Sequence, residues 1–157
     1  MFEFPPHFQI LLTDLHEPEE NTLRVVVTEV KTLSAHAPGR FPPSSLSPIA
    51  IAADSRCLEF VWHQYVAWQV RNESFALPEE GGQFGVFVER NTSAYLRFLE
   101  ETTFAASVVQ KPMRHWSINC LNHCVDIVSF GEPRVGQIEP SRDVRFWSGS
   151  NWFSEAS

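Results

Sequence analysis

The sequence predicts a single α+β domain: a strongly bent antiparallel sheet of about five or six strands with one main helix packed on it. Three observations carry this expectation. Residues 58–75, LEFVWHQYVAWQVRNESF, set Val, Trp and Tyr in strand-like order and stop on an Arg-Asn-Glu-Ser cluster. Residues 114–130, RHWSINCLNHCVDIVSF, form a second run of the same kind. Between them, one segment repeats apolar residues at helical spacing. β-Branched and aromatic residues suit a pleated, half-buried surface, whereas a three-to-four spacing marks one face of a helix.

Each element follows from its own residues. Residues 8–15 alternate Phe8, Ile10 and Leu12, and residues 22–33 set Leu23, Val25 and Val27 against Arg24, Val26 and Thr28. The charged link HEPEEN, with Pro18 and Asn21, suits a hairpin loop between them. Residues 35–48 hold Pro38, Pro42, Pro43 and Pro48. Proline fixes φ and removes ladder donors, so this proline-rich stretch reads as a loop. The hairpin before it is too small to bury its own face, so residues 1–157 are read as one domain.

From Leu58 onward, Leu58, Phe60, Trp62, Val66, Trp68 and Val70 fall on one side, and Gln64 interrupts that face. The interruption predicts a bend or bulge near His63–Tyr65. Residues 78–83, PEEGGQ, read as a turn, and residues 85–89 as a short strand. Asn91, Thr92 or Ser93 is placed to cap a helix, followed by the stripe Tyr95, Leu99, Thr102 and Ala106. In the second strong run, Trp116, Ile118 and Cys120 have one parity, and Leu121, Val125 and Ile127 the other. A side-chain period of two then calls for an inserted residue near Cys120–Leu121. Such a bulge brings His115, Asn119, Asn122 and Asp126 to one outer face. The tryptophan-rich segment 141–157 carries Phe146, Trp147, Trp152 and Phe153. It is expected to fold back over the domain or to cover a partner surface, which includes oligomerisation through these aromatics.

Composition narrows the function classes. A chain of 157 residues with 43% apolar residues, 13 Phe and 5 Trp can build an aromatic core without staples. At this size roughly 70% of the unfolded chain's surface is buried. The formal net charge of −7 argues against a nucleic-acid groove or an anionic membrane surface, both of which need clustered cations. It favours a basic protein partner. Cys57, Cys120 and Cys124 are odd in number, and the start MFEFPPHFQI lacks a basic leader region. Together these point to reduced thiols and a cytoplasmic location. No apolar run approaches the roughly 18 residues that would span a membrane.

Two polar groups stand out as a candidate binding site. Arg71, Asn72 and Glu73 end one strong run, and His115, Asn122 and Asp126 lie on the other. Imidazole titrates near neutrality and a carboxylate would orient it, while Arg71 offers paired hydrogen bonds to an anion. The plainer alternative is that Arg71 and Glu73 are neighbours at a sheet end. Zinc on Cys120, His123 and Cys124 is not expected, because no second paired ligand motif exists. No other cofactor is implied. Covalent catalysis by Cys120 or Cys124 with His115 or His123 lacks a glycine-rich or helix-N-terminal context. Glu17, Glu19, Glu20, Glu79, Glu80, Glu100 and Glu101 offer an acidic surface able to steer a basic partner.

YVAWQVRNESF at 65–75, SAYLRFLEETT at 93–103 and HWSINCLNHCVDIVS at 115–129 together resemble a group of small, uncharacterised bacterial proteins. These share a strand ending in VRNES and a later CLNH-VD strand. The resemblance spans residues 58 to about 133 and implies no activity. Acidic bacterial proteins of this size and style include immunity proteins to secreted toxins. The leading expectation is therefore an acidic protein-binding module, with toxin neutralisation as its use. The alternative is a small enzyme or ligand-binding protein with a sheet-pocket site around Arg71, Glu73, His115 and Asp126.

Overall fold

A computed structural model of the chain describes residues 4–5, 7–32, 49–77 and 85–139. The proline-rich stretch 35–48, the turn at 78–83 and the aromatic segment 141–157 lie outside the described residues. The described chain is mostly antiparallel strand with few helices. Its strands are β1 (Gln9–Glu19), β2 (Thr22–Thr32), β3 (Ile49–Ala50), β4 (Cys57–His63), β5 (Tyr65–Asn72), β6 (Phe87–Arg90), β7 (Arg114–Asn119), β8 (His123–Ser129) and β9 (Arg134–Ile138). The helices are α1 (Ala94–Thr102) and α2 (Ala105–Val109), with a 3-10 turn at Glu73–Phe75.

The strands fall into two sheets, where the sequence suggests one. The first runs β1-β2-β4-β9 with β3 beside β2, and the second runs β5-β8-β7-β6. The two share one core: Phe8, Ile10, Leu23, Val25, Val27, Leu58, Phe60 and Trp62 meet Trp116, Ile118, Cys120, Val125 and Ile127. Phe87 joins the layers, stacked on Trp116 at 5.5 Å between centroids and 5.0 Å from Phe60. Helix α1 covers the outer face of the second sheet, where Leu96 and Leu99 pack with Met113 and Val128.

The chain changes sheet at Gln64, the residue that breaks the apolar face in the sequence. Gln64 has φ 58°, and its N–H donates to Asn21 O at 2.7 Å. Immediately after it, a register shift between Tyr65 and Ala67 leaves Tyr65 against the shared core and turns Val66 and Ala67 toward the helix side. Val66 therefore does not continue the face of Leu58, Phe60 and Trp62. Trp68 and Val70 lie opposite Ile127 and Val125 at the margin of the core.

The second strong run corrects the expected bulge. Residues 114–130 are not one strand but the hairpin β7–β8, turning through Cys120, Leu121 and Asn122. Its register sets Trp116 opposite Ile127 and Ile118 opposite Val125, so the change of parity marks a reversal of direction. A strand that turns back and a strand that bulges leave the same parity signature in sequence. The hairpin tip docks on β1: Leu121 N donates to Ile10 O at 2.9 Å, and Asn122 exchanges hydrogen bonds with both backbone groups of Leu12.

The helix is shorter than its stripe. Ser93 caps it, accepting from Leu96 N at 2.9 Å, and Leu96 and Leu99 are its buried residues. Thr103 is already extended, so Thr102 and Ala106 do not extend the buried face, and α2 contributes no buried residue.

Candidate functional site

The outer face of β5, β8 and β7 carries a buried polar cluster beneath the N-terminus of α1. Pairing sets Gln69 beside Asp126 across β5–β8, and Ser117 beside Asp126 across β8–β7. Arg71 and His115 stand two residues along on the same faces, because side chains repeat every second residue in a strand. His115, Ser117 and Asp126 are fully or almost fully buried.

Asp126 organises the group. Its Oδ1 accepts from His115 Nε2 at 3.1 Å and from Ser117 Oγ at 2.9 Å. Its Oδ2 accepts from Gln69 Nε2 at 3.0 Å, Arg71 Nε at 2.9 Å and Arg71 Nη2 at 2.9 Å. A carboxylate only accepts, so the proton on that side of the imidazole belongs to Nε2. On the other side of the ring Nδ1 hydrogen-bonds with the Ser93 hydroxyl at 2.8 Å. Ser93 Oγ thus takes the Leu96 N–H with its lone pair and shares a second hydrogen bond with His115 Nδ1. Tyr95 presents its ring to the imidazole edge-on at 5.7 Å.

These contacts set the charges. Burial by itself drives the Asp126 carboxyl toward neutrality. The hydrogen bond from His115, the charge of Arg71 and the amide of Gln69 together overcome that and hold its pKa down at about 2. Tyr95 is pushed up to about 12 by burial and then by the Asp126 charge, so its phenol stays protonated at neutral pH. Burial raises Cys120 to about 12, helped by nearby Cys124, and burial raises Cys124 as well. Both are thiols at neutral pH, so neither is an activated nucleophile. Among the described residues no group of His, Cys, Asp and Glu is arranged to hold a metal ion.

Of the expected site residues, Arg71, His115 and Asp126 converge. The others do not join them. Asn72 accepts from Ser74 N at 3.0 Å and starts the 3-10 turn, whereas Glu73 is exposed in that turn. Asn122 is committed to β1 by its bonds to Leu12. Gln69, Ser93 and Ser117 complete the cluster and are not on the expected roster. The period of two places Gln69 with Arg71 and Ser117 with His115. Ser93 is legible only as a cap, since nothing local ties a helix start to a strand 22 residues later.

Ser93, His115 and Asp126 form a hydrogen-bonded line of the kind that activates a hydroxyl nucleophile. Here the hydroxyl holds a helix end at 6% exposure, and both oxygens of Asp126 are occupied. The arrangement ties α1 to the sheet. Ser93→Ala should therefore cost stability, about 1–2 kcal/mol for the cap plus about 1–3 kcal/mol for the buried imidazole nitrogen left unpaired. Urea unfolding of the variant checks this.

Comparison with protein-family models, with curated proteins and with solved structures finds no match to this chain.

The described surface is distinctive along one stretch of chain. Trp68 is 37% exposed, Val70 39%, Phe75 84% and Leu77 81%, all within ten residues. Further exposed apolar residues, Phe98, Phe104, Val108 and Val109, belong to the helical segment.

Proposed function

We propose that this chain is an acidic, cytoplasmic protein-binding module that meets a basic partner, a role that toxin-neutralising immunity proteins share. The observation that carries the reading is the set of exposed apolar side chains Trp68, Val70, Phe75 and Leu77, in and just after β5. Isolated exposed apolar side chains are ordinary, but four within ten residues, two at more than 80% exposure, suit a contact surface. The net charge of −7 supports a cationic partner, whose approach it accelerates.

The rival reading, a small enzyme or ligand-binding site around Arg71, Glu73, His115 and Asp126, is favoured by the convergence of three of those residues. The saturation of Asp126 and the exposure of Glu73 away from the cluster weigh against it.

A Phe75→Asp, Leu77→Asp double variant should fold within about 0.5 kcal/mol of the parent, because both residues are solvated. It should lose the protein that the parent captures from an extract of its host cell, and that capture should weaken as salt is raised. Retention of the same protein by the double variant would remove this surface from the function.

A further inference from the structure

Resting on that protein-binding reading, we infer that the free edge of β5 takes an extended partner strand, apolar at alternate positions and basic at its C-terminal end. The first reason is the hydrogen-bonding edge. Among the described residues β5 has a neighbour on one side only, β8, and it runs for eight residues, Tyr65–Asn72. The other sheet margins are less open. β6 is four residues long and β9 five, and β1 is engaged by Leu121 and Asn122 at Ile10 and Leu12. Proteins usually guard long edges with proline, lysine or an inward-turned charge. β5 has neither proline nor lysine, and Arg71 alone turns inward, to Asp126.

The second reason is side-chain chemistry. An added strand places its alternate residues on the two faces of β5. One face offers Trp68 and Val70, at 37% and 39% exposure, which apolar partner residues would cover. The opposite face offers Gln69 and Arg71, already engaged with Asp126, so partner residues there need only be polar.

The third reason is charge, which says which end of an antiparallel strand should be basic and favours a cationic strand over a second acidic copy. The Tyr65 end of β5 adjoins the β1–β2 turn: Tyr65 Oη donates to Glu17 at 2.5 Å, and Gln64 N donates to Asn21. Glu17, Glu19 and Glu20 are exposed there, and no Lys or Arg occurs between Asp14 and Arg24. A strand antiparallel to β5 brings its C-terminus to this acidic end, so lysine or arginine there is complementary. In an antiparallel pairing of two copies the Asn72 end of one β5, followed by exposed Glu73, would lie against the Glu17, Glu19 and Glu20 end of the other.

The test uses the full chain and an eight-residue, end-blocked peptide with valine at alternate positions and two C-terminal lysines. Calorimetry gives affinity, and amide hydrogen exchange gives location. The expected result is binding that slows exchange along Tyr65–Asn72, with at least about tenfold weaker binding when the lysines become glutamates. Glu19→Lys with Glu20→Lys, both at exposed positions, should reverse that preference. Equal binding of the two peptides, binding that leaves the β5 amides unchanged, or a chain that dimerises through β5 without peptide would each overturn the proposal. Failure of the peptide, with partner capture still lost in the Phe75→Asp, Leu77→Asp variant, would remove strand addition and leave the protein-binding reading standing.

Discussion

Replacing Asp126 with alanine should destabilise the fold by about 3–5 kcal/mol, the range for breaking a buried charged pair by removing one partner. The carboxylate takes hydrogen bonds from His115, Ser117, Gln69 and Arg71, so its loss strands the donors of His115 and Ser117 where water does not reach. Asp126→Asn should cost less, because an amide oxygen still accepts, but it cannot satisfy the guanidinium as an anion does. A shift of the urea midpoint without a change in slope is the expected signature. The same residue fixes an acid limb. Its folded pKa of about 2 lies below the unfolded value of roughly 3.9, so the unfolded chain binds the proton more tightly. Its contribution is complete above about pH 5 and is lost as pH falls through about 4 toward 2. In Asp126→Asn that share of the acid dependence should vanish.

The second large effect is Trp116→Ala, expected to cost about 3–5 kcal/mol as a core truncation. Trp116 is 3% exposed, stacks on Phe87 and is covered by the Arg114 guanidinium at 4.5 Å from its ring. Trp62→Ala should cost a similar amount, since Trp62 is equally enclosed between Phe60 and Phe87. The phenylalanine variants should separate the two. Trp116 Nε1 donates to Ser129 Oγ at 3.0 Å, whereas Trp62 Nε1 has no hydrogen-bond partner among the described residues. Trp116→Phe should therefore be about 1 kcal/mol worse than Trp62→Phe. Equal costs would show that the Ser129 bond contributes nothing net.

Much of the architecture is written in side-chain period. The alternation of Leu23, Val25 and Val27, and of Leu58, Phe60 and Trp62, names the inner face of one sheet directly. Gln64 breaks that alternation and is where the chain changes sheet. Parity at Cys120–Leu121 reports that something happens to the strand, but a bulge and a hairpin satisfy it equally. The turn itself has no Asn-Gly or Asp-Gly signature to decide between them. The division into two sheets depends on which strands pair at long range, such as β4 with β9 and β5 with β8. No local pattern encodes those partners.

The polar cluster was half legible for the same reason. His115 and Asp126 share an outer face under either reading of the parity change, and Arg71 follows once β5 and β8 are paired. Asn72, Glu73 and Asn122 are polar and near in sequence, yet turn geometry claims Asn72 and the β1 backbone claims Asn122. Ser93 joins only because α1 begins above His115, a tertiary fact.

Polar groups that lock the helix onto the sheet, and an apolar margin proposed to bind a partner, predict opposite responses in one measurement. That measurement is the affinity of the captured partner for folded Asp126→Asn and for folded Phe75→Asp, Leu77→Asp, each held below its own unfolding midpoint. Asp126→Asn should bind like the parent despite its lost stability, while the surface variant should lose at least tenfold in affinity. Parental affinity in the surface variant, together with abolished affinity in Asp126→Asn, would contradict the assignment of the cluster to the fold.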